Sequence, residues 1–357
     1  CFTSVSPASP RSGGGGAPWV TPLLGSTLVA MCVLGAAGNL YTLAVTRSAA
    51  LRRAGSMRVF IINLAAADLL YLATIPFVVC TYFARDWFFG ETGCRLLLSL
   101  DLLTMHASVF VLVAMSLERY RAVATPFGAR RPPGRRHWLA ALGVWAAATA
   151  LTLPMMVMIQ LREGRPGAGG LVKRICYPTW KPEAFRAYLT LLFFTSMLVP
   201  GLVMGGLYTG LAHHYWVAQA NLVRGGSGRG GTALSRLRRQ LKYRVVGMVF
   251  SIVVAHWVCF LPFWAWQLAK LFSPEALRSL SHAAHTYLNF FVTCLTYGNS
   301  CVNPLLYTLL TRNYRDYLAQ RGQNSGSSRA EQASAPPANH AAQDSETTLE
   351  CDGHLKY

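Results

Sequence analysis

Apolar residues run along this chain in seven long stretches, near 21–46, 57–83, 94–122, 137–161, 185–216, 243–271 and 283–310, joined by polar connections. A helix rises about 1.5 Å per residue and the hydrocarbon core of a bilayer is about 30 Å thick, so each stretch is long enough to cross a membrane. The pattern predicts an all-α membrane protein, a seven-helix bundle over residues 21–310. Residues 1–20 are rich in Gly, Ser and Pro and predict a disordered extracellular segment. Residues 311–321 predict a short amphipathic helix that turns Tyr314 and Leu318 toward lipid and Arg312 and Arg315 toward the headgroups. Residues 322–357 predict a disordered cytoplasmic tail, in which Ser345, Thr347 and Thr348 are candidate phosphate acceptors. The chain begins without Met and carries no recognisable signal peptide, which predicts an incomplete N-terminus.

Polar or helix-breaking residues interrupt the apolar stretches: Gly38-Asn39 in the first, Asp68 and Pro76 in the second, Trp145 and Pro154 in the fourth, Pro200 in the fifth, and Pro262 in the sixth. The seventh holds Asn299, Ser300, Asn303 and Pro304. A proline inside a spanning helix releases a carbonyl and bends the helix, and neighbours must satisfy the backbone again. So many breaks predict a bundle that flexes.

The third stretch organises the rest. From Cys94 to Arg119 it would cover about 37 Å at about 1.5 Å per residue, with Cys94 at one surface and Glu118-Arg119-Tyr120 at the other. Asp101 lies two turns below Cys94, inside the hydrocarbon zone. A carboxylate there costs about 3 kcal/mol by insertion scales, so it is expected to face the interior and receive a cation. A ligand cation is the favoured reading, and pairing with another helix the alternative. His106 reads as a hydrogen-bonded interior residue.

Composition fits this picture: 53% hydrophobic, 13% charged and a mean hydropathy of +0.32 describe a polytopic membrane protein. A net charge of +19 would suit a nucleic-acid partner, but its placement does not. Arg47, Arg52, Arg53 and Arg58, then Arg121, Arg130, Arg131, Arg135 and Arg136, then the run from Arg224 to Arg244 fill the connections after the first, third and fifth stretches. That alternation puts those connections and the C-terminus in the cytoplasm and the N-terminus outside. The connection from Leu161 to Arg186 departs from the rule, with Arg162, Arg165, Lys173, Arg174 and Lys181 on the outer side; it reads as a solvated loop. Cys32, Cys80, Cys259, Cys294 and Cys301 read as small buried hydrophobes. Cys94 and Cys176 fall on the oxidising side, where a bridge between them would pin the outer loop over the mouth of the bundle.

Together these residues resemble a rhodopsin-like G-protein-coupled receptor. The resemblance runs through Asn39, Leu64 with Asp68, Cys94 with Glu118-Arg119-Tyr120, Trp145, Pro200 with Tyr208, Cys259-Phe260-Leu261-Pro262 and Asn303-Pro304-Leu305-Leu306-Tyr307. The longer strings LTMHAS, FRAYLTLLF, CFLPFWAWQL and CLTYGNSCVNPLLYTLLTRNYRDYL are similar to the urotensin II receptor family and, at greater distance, to somatostatin and opioid receptors.

The resemblance implies a plasma-membrane receptor for a cyclic peptide whose ring presents a Trp-Lys-Tyr core. Asp101 would take the lysine ammonium, with Met105, Phe193, Phe260, Phe263, Trp264, Gln267 and Tyr297 around it, and Tyr297 hydrogen-bonded to Asp101. Asp68, Ser108, Asn299, Ser300 and Asn303 match an allosteric sodium site. Hard oxygen donors around one carboxylate suit a small hard cation; a protonated Asp68 in a water network is the alternative. At the cytoplasmic end, the family implies that Glu118 holds Arg119 at rest. Arg119 is then released toward Tyr208, Tyr307 and a heterotrimeric G protein, with Tyr120, Asn303 and Pro304 in the same activation machinery and Pro126 and Phe127 contacting the G protein. Coupling to the calcium-mobilising Gq class, arrestin and receptor kinases come with the family too. Lys242 stands where many relatives carry an acid that clasps Arg119. Phe260 replaces a Trp common in the wider family. His256 replaces a Phe that packs near Pro200 and Val109; it reads as a satisfied core residue, with a pH-sensitive trigger as the alternative.

Other classes fit less well. A retinal-binding opsin needs a Lys where Tyr297 stands. An aminergic receptor would share Asp101, but the fifth stretch offers Leu192, Phe193 and Ser196 rather than a run of hydroxyls. A transporter or channel would call for internal repeats, and an enzyme for a nucleophile–base pair or metal cluster on an aqueous face; the sequence offers neither.

Overall fold

The apolar stretches become helices because a bilayer offers the backbone no other partner: every N–H and C=O must be satisfied within the segment. A computed structural model describes residues 20–46, 56–84, 86–124, 135–163, 174–224, 233–281 and 283–305. The chain divides into two units, Cys1–Arg315 and Asp316–Tyr357. The second lies wholly outside the described residues; the helices and strands all belong to the first. In order, the helices are α1 (Val20–Thr46), α2 (Ser56–Leu72), α3 (Ile75–Ala84), α4 (Gly90–Ala124) and α5 (Arg135–Met158). After the strands β1 (Ile159–Glu163) and β2 (Arg174–Pro178) come α6 (Pro182–Phe193), a π-helical turn (Phe194–Leu198), α7 (Val199–Arg224), α8 (Ala233–Phe272) and the short α9 (Pro274–Leu277). A further helix, α10, covers 283–305 up to the edge of the described residues.

Among the described residues, six segments are long and apolar enough to cross a membrane: Pro22–Thr46, Met57–Thr81, Gly90–Ala122, Arg135–Met158, Pro182–Val217 and Val249–Phe272. Their outer faces carry exposed Leu34, Leu142, Leu202 and Val258, while Asn39, Asp68, His106, Ser108 and Asn303 are buried. This inverts the polarity of a soluble protein, as a hydrocarbon surround requires.

The prolines set the breaks. Pro76 cannot donate to the Leu72 carbonyl four residues back. The chain turns at Ala73-Thr74, and Cys32 of α1 donates its thiol to the Leu72 carbonyl at 3.6 Å. Pro304 likewise releases the Ser300 carbonyl, which Asn39 Nδ2 meets at 2.9 Å. Gly38 permits that approach, since a Cβ there would lie 2.9 Å from Pro304 Cβ. The π-helical turn stands immediately before Pro200, one of the usual causes of a bent helix. Trp145 Nε1 joins α5 to α2 through Asn63 Oδ1 at 2.9 Å.

The connection read as a solvated loop contains an antiparallel hairpin, with β1 paired to β2 from Ile159–Pro178 to Glu163–Arg174. The fourth stretch, expected to run to 161, leaves the helix at Met158 and enters β1 at Ile159. Its Ile159 and Leu161, two apart, both pack on the apolar cluster beneath the hairpin.

Candidate functional site

At the hairpin end, Cys176 of β2 is bridged to Cys94 in α4, with 5.7 Å between their Cα atoms. The expected disulfide is therefore present, and it holds the hairpin against the start of α4. Below it, α4, α6 and α8 contribute one apolar cluster containing Met105, Leu192, Phe260 and Trp264, with Phe193 and Phe263 packed on its side. The rings meet edge to face: Phe193 and Phe263 lie 5.9 and 5.6 Å from Trp264. Gln267 is buried one turn further along α8. Five of the residues expected around Asp101 are thus neighbours in one wall.

Tyr297 belongs to a different cluster, with Leu28, Tyr71, Leu72 and Ile75. Its ring stacks on Tyr71 at 4.3 Å and its hydroxyl shares a hydrogen bond with Thr74 Oγ1 at 2.8 Å. Tyr71 donates in turn to Thr296 Oγ1 at 2.9 Å. Thr74 was not expected from the sequence; its signal was a hydroxyl two residues before Pro76.

A narrow cleft is lined by Asp101, Met105 and Phe260 together with Asp68, Ser108, Asn299 and Ser300. Asp101 and Ser108 are seven residues apart on α4, so the cleft spans about two turns, or about 10 Å. In its polar part, Ser300 Oγ and Asn303 Nδ2 donate to the two oxygens of Asp68, each at 2.8 Å. Asn299 Oδ1 and Asn303 Oδ1 are buried without a hydrogen-bond partner among the described residues. The structure therefore places Asp101, Met105 and Phe260 of the expected cation anchor in the same cleft as Asp68, Ser108, Asn299 and Ser300 of the expected sodium site.

Residues 38–307 match the family described as 7 transmembrane receptor (rhodopsin family). The chain belongs to this family. It is 48% identical to the urotensin-2 receptors of Macaca mulatta and Homo sapiens over 310 residues, 86% of this chain and 73% of each relative. It is 32% identical to somatostatin receptor type 4 of Rattus norvegicus over 290 residues, 80% of this chain and 68% of the relative. Galanin receptor type 2 of Mus musculus is 31% identical over 309 residues, 86% of this chain and 78% of the relative. A rhodopsin-family receptor is not an enzyme, in agreement with the sequence reading.

In this receptor the opposite end of α4 carries Glu118-Arg119-Tyr120. Glu118 is 3.6 Å from Arg121 Nη1 and 3.7 Å from His137 Nε2 of α5, neither of which was expected as its partner. Tyr208 of α7 lies near Ser116 and Arg119 and meets Phe250 of α8 edge to face at 5.2 Å. Tyr120 packs on Gly210, where a Cβ would come within 2.8 Å of its ring. Pro126, Phe127, Tyr307 and the helix expected at 311–321 lie outside the described residues, as does the side chain of Lys242.

The two core histidines differ. His106 is buried as expected, with Nδ1 2.8 Å from the Leu102 carbonyl and Nε2 3.1 Å from Thr195 Oγ1. His256 is fully buried with its ring 4.5 Å from that of Phe260. Neither of its nitrogens has a hydrogen-bond partner among the described residues. The expectation of a satisfied core residue is therefore corrected: Phe260 supplies His256 with packing where a hydrogen bond was expected.

Outside the membrane, Asp86 in the α3–α4 connection accepts from the Arg174 backbone N–H at 2.7 Å and from Arg174 Nη2 at 3.0 Å. Desolvation pushes its carboxyl upward, but the hydrogen bonds and charge of Arg174, with the Trp87 backbone, outweigh it and hold the group below its ordinary value. This pair was not legible from the sequence.

Proposed function

We propose that this receptor binds a cyclic peptide of the urotensin II type at the hairpin end and activates a heterotrimeric G protein at the Glu118-Arg119-Tyr120 end. The observation that carries the reading is the shared cleft, in which a carboxylate, Asp101, meets the apolar wall of Met105 and Phe260. A lysine ammonium on Asp101 would leave adjacent peptide aromatics against Phe193, Phe263 and Trp264, where edge-to-face contacts are available. The 48% identity to urotensin-2 receptors supports the ligand class. In the orientation proposed, the hairpin and the N-terminus are extracellular and the receptor resides in the plasma membrane, with α10 as the seventh span and 311–321 as an amphipathic helix on the inner leaflet. We assign coupling to Gq and calcium release, with receptor kinases and arrestin acting on the tail.

The polar part of the cleft suits sodium. Asp68, Ser108, Asn299, Ser300 and Asn303 would hold it, and two buried amide oxygens there lack hydrogen-bond partners among the described residues. When bound, the ion supplies a positive charge that the packed, inactive bundle accommodates. Calcium release in transfected cells, challenged with a panel of cyclic peptides, tests the whole reading. A response to peptides carrying Trp-Lys-Tyr that fails when Lys is replaced by norleucine is expected; a response indifferent to that change overturns it.

A further inference from the structure

Two attachments hold the hairpin down, and only one is covalent. Cys176 of β2 is bridged to Cys94 of α4. Two residues earlier on the same strand, Arg174 meets Asp86 twice, through its backbone N–H and through Nη2. Residues two apart project to the same face of a strand, so the bridge and the ion pair reach from one face of β2 to α4 and to the connection that leads into it. The Arg174 guanidinium also lies 5.2 Å from the centre of the Phe88 ring. A charge-assisted contact made at two points fixes direction as well as distance.

A strand tethered at one point can pivot about it; a second tether removes the pivot. Arg174 pairs with Glu163 in the rung next to the 164–173 connection, so Asp86 holds the end of the ladder farthest along it from α5 and α6. Beneath, Trp87 and Ile159 lie in the same buried cluster as Met105, Phe260 and Trp264. The seat of the hairpin and the wall of the cleft are one packed unit, and close-packed interiors transmit displacement.

We infer that Asp86 and Arg174 are positioning residues for ligand retention: their contact fixes the hairpin as the roof of the peptide site and sets the rate at which a bound peptide escapes, without touching the peptide. This rests on the reading of the chain as a peptide receptor. Loss of the contact loosens the roof and leaves Asp101 in place, so escape quickens while capture changes little.

The test uses the full-length receptor in cell membranes and radioiodinated urotensin II as the probe. Asp86→Ala and Arg174→Gln are each expected to raise the dissociation rate about 5-fold, the scale of a partly exposed charge pair, with the association rate within about 2-fold of wild type. Arg174→Lys, which keeps the charge and the backbone donor, is expected to stay near wild type. The double variant is expected to fall well short of the product of the two single effects, because both remove the Nη2–Asp86 bond. Wild-type dissociation in both single variants, or multiplied effects in the double, would overturn the inference. A second measurement needs no ligand. Hydrogen–deuterium exchange of the unliganded receptor in nanodiscs is expected to quicken at 159–163 and 174–178 in Asp86→Ala, and unchanged exchange overturns the inference as well. If the peptide fails to bind even the wild type, the ligand reading falls, and the exchange result alone decides the latch.

Discussion

The polar floor and the aromatic wall of the cleft are built on different principles. Around Asp68, Ser300 and Asn303 donate at 2.8 Å, each aimed at one carboxylate oxygen. Beside Met105 and Phe260, Phe193, Phe263 and Trp264 meet at ring separations of 5.6 to 5.9 Å. Hydrogen bonds in low dielectric are directional and leave a buried donor few alternatives. Aromatic contacts are broad and tolerate sliding. The floor can therefore hold one small charged guest in one place, whereas the wall can adapt to side chains brought by a visitor. Tyr297 sits between them: an aromatic ring tied by its hydroxyl to Thr74 and stacked on Tyr71.

The comparison can be broken most directly at its charges. Asp101→Ala is expected to reduce peptide affinity by about 30-fold to several thousand-fold, the effect of removing one partner of a buried charge pair. Surface expression should be retained, and unchanged affinity in a radioligand assay removes the anchor. Next in size, sodium is expected to lower agonist affinity by roughly 5-fold or more, an ordinary allosteric coupling, and Asp68→Asn to abolish that sensitivity. A sodium effect of the same size in both proteins would unmake the distinction between floor and wall. Asn39→Ala strands the Ser300 carbonyl and is expected to lower thermal stability by about 1 kcal/mol, read as a Tm shift in detergent. Tyr297→Phe loses only the bond to Thr74, worth about 0.6 kcal/mol within a membrane. If it weakens peptide binding as much as Asp101→Ala, Tyr297 belongs to the wall after all.

The smallest effect expected is one of pH. Asp86 has its carboxyl held below the ordinary value of 3.8. Its contribution is therefore complete above that value and fades as pH falls through the lower, folded one. Acid melts of wild type and Asp86→Asn should diverge at neutral pH and converge in strong acid; parallel curves throughout would show the pair to be inert.

Much of this was legible in the chain. Hydrophobic runs located the helices within a few residues, because a bilayer leaves the backbone little choice. Asp68, Asn299, Ser300 and Asn303 were grouped through the family resemblance, and Ser300 and Asn303 do bond Asp68. The hairpin was hidden: Ile159 and Leu161 continue the apolar run of α5, and only packing beneath the disulfide turns them into a strand. The Asp86–Arg174 pair was equally hidden, since two charges 88 positions apart meet only once the bridge has drawn β2 onto α4. Tyr297 was expected beside the other aromatics, but residue type alone does not reveal that the Thr74 hydroxyl at the α2–α3 turn and the Tyr71 ring would claim it.

Cys32 and Asn39 stand two turns apart on α1, and each takes a carbonyl released by a proline of another helix. Tyr188 of α6 donates to the Leu151 carbonyl of α5, one residue past the carbonyl that Pro154 releases. The Cys32 and Asn39 side chains act as splints, so that straightening either break would first have to part a bond between helices. Among the described residues no side chain takes the Val258 carbonyl behind Pro262 in α8. One turn beyond that break α8 is tied to α10 instead, where Trp266 Nε1 donates to Asn289 Oδ1 at 2.6 Å, so its bend and its tether lie at different heights.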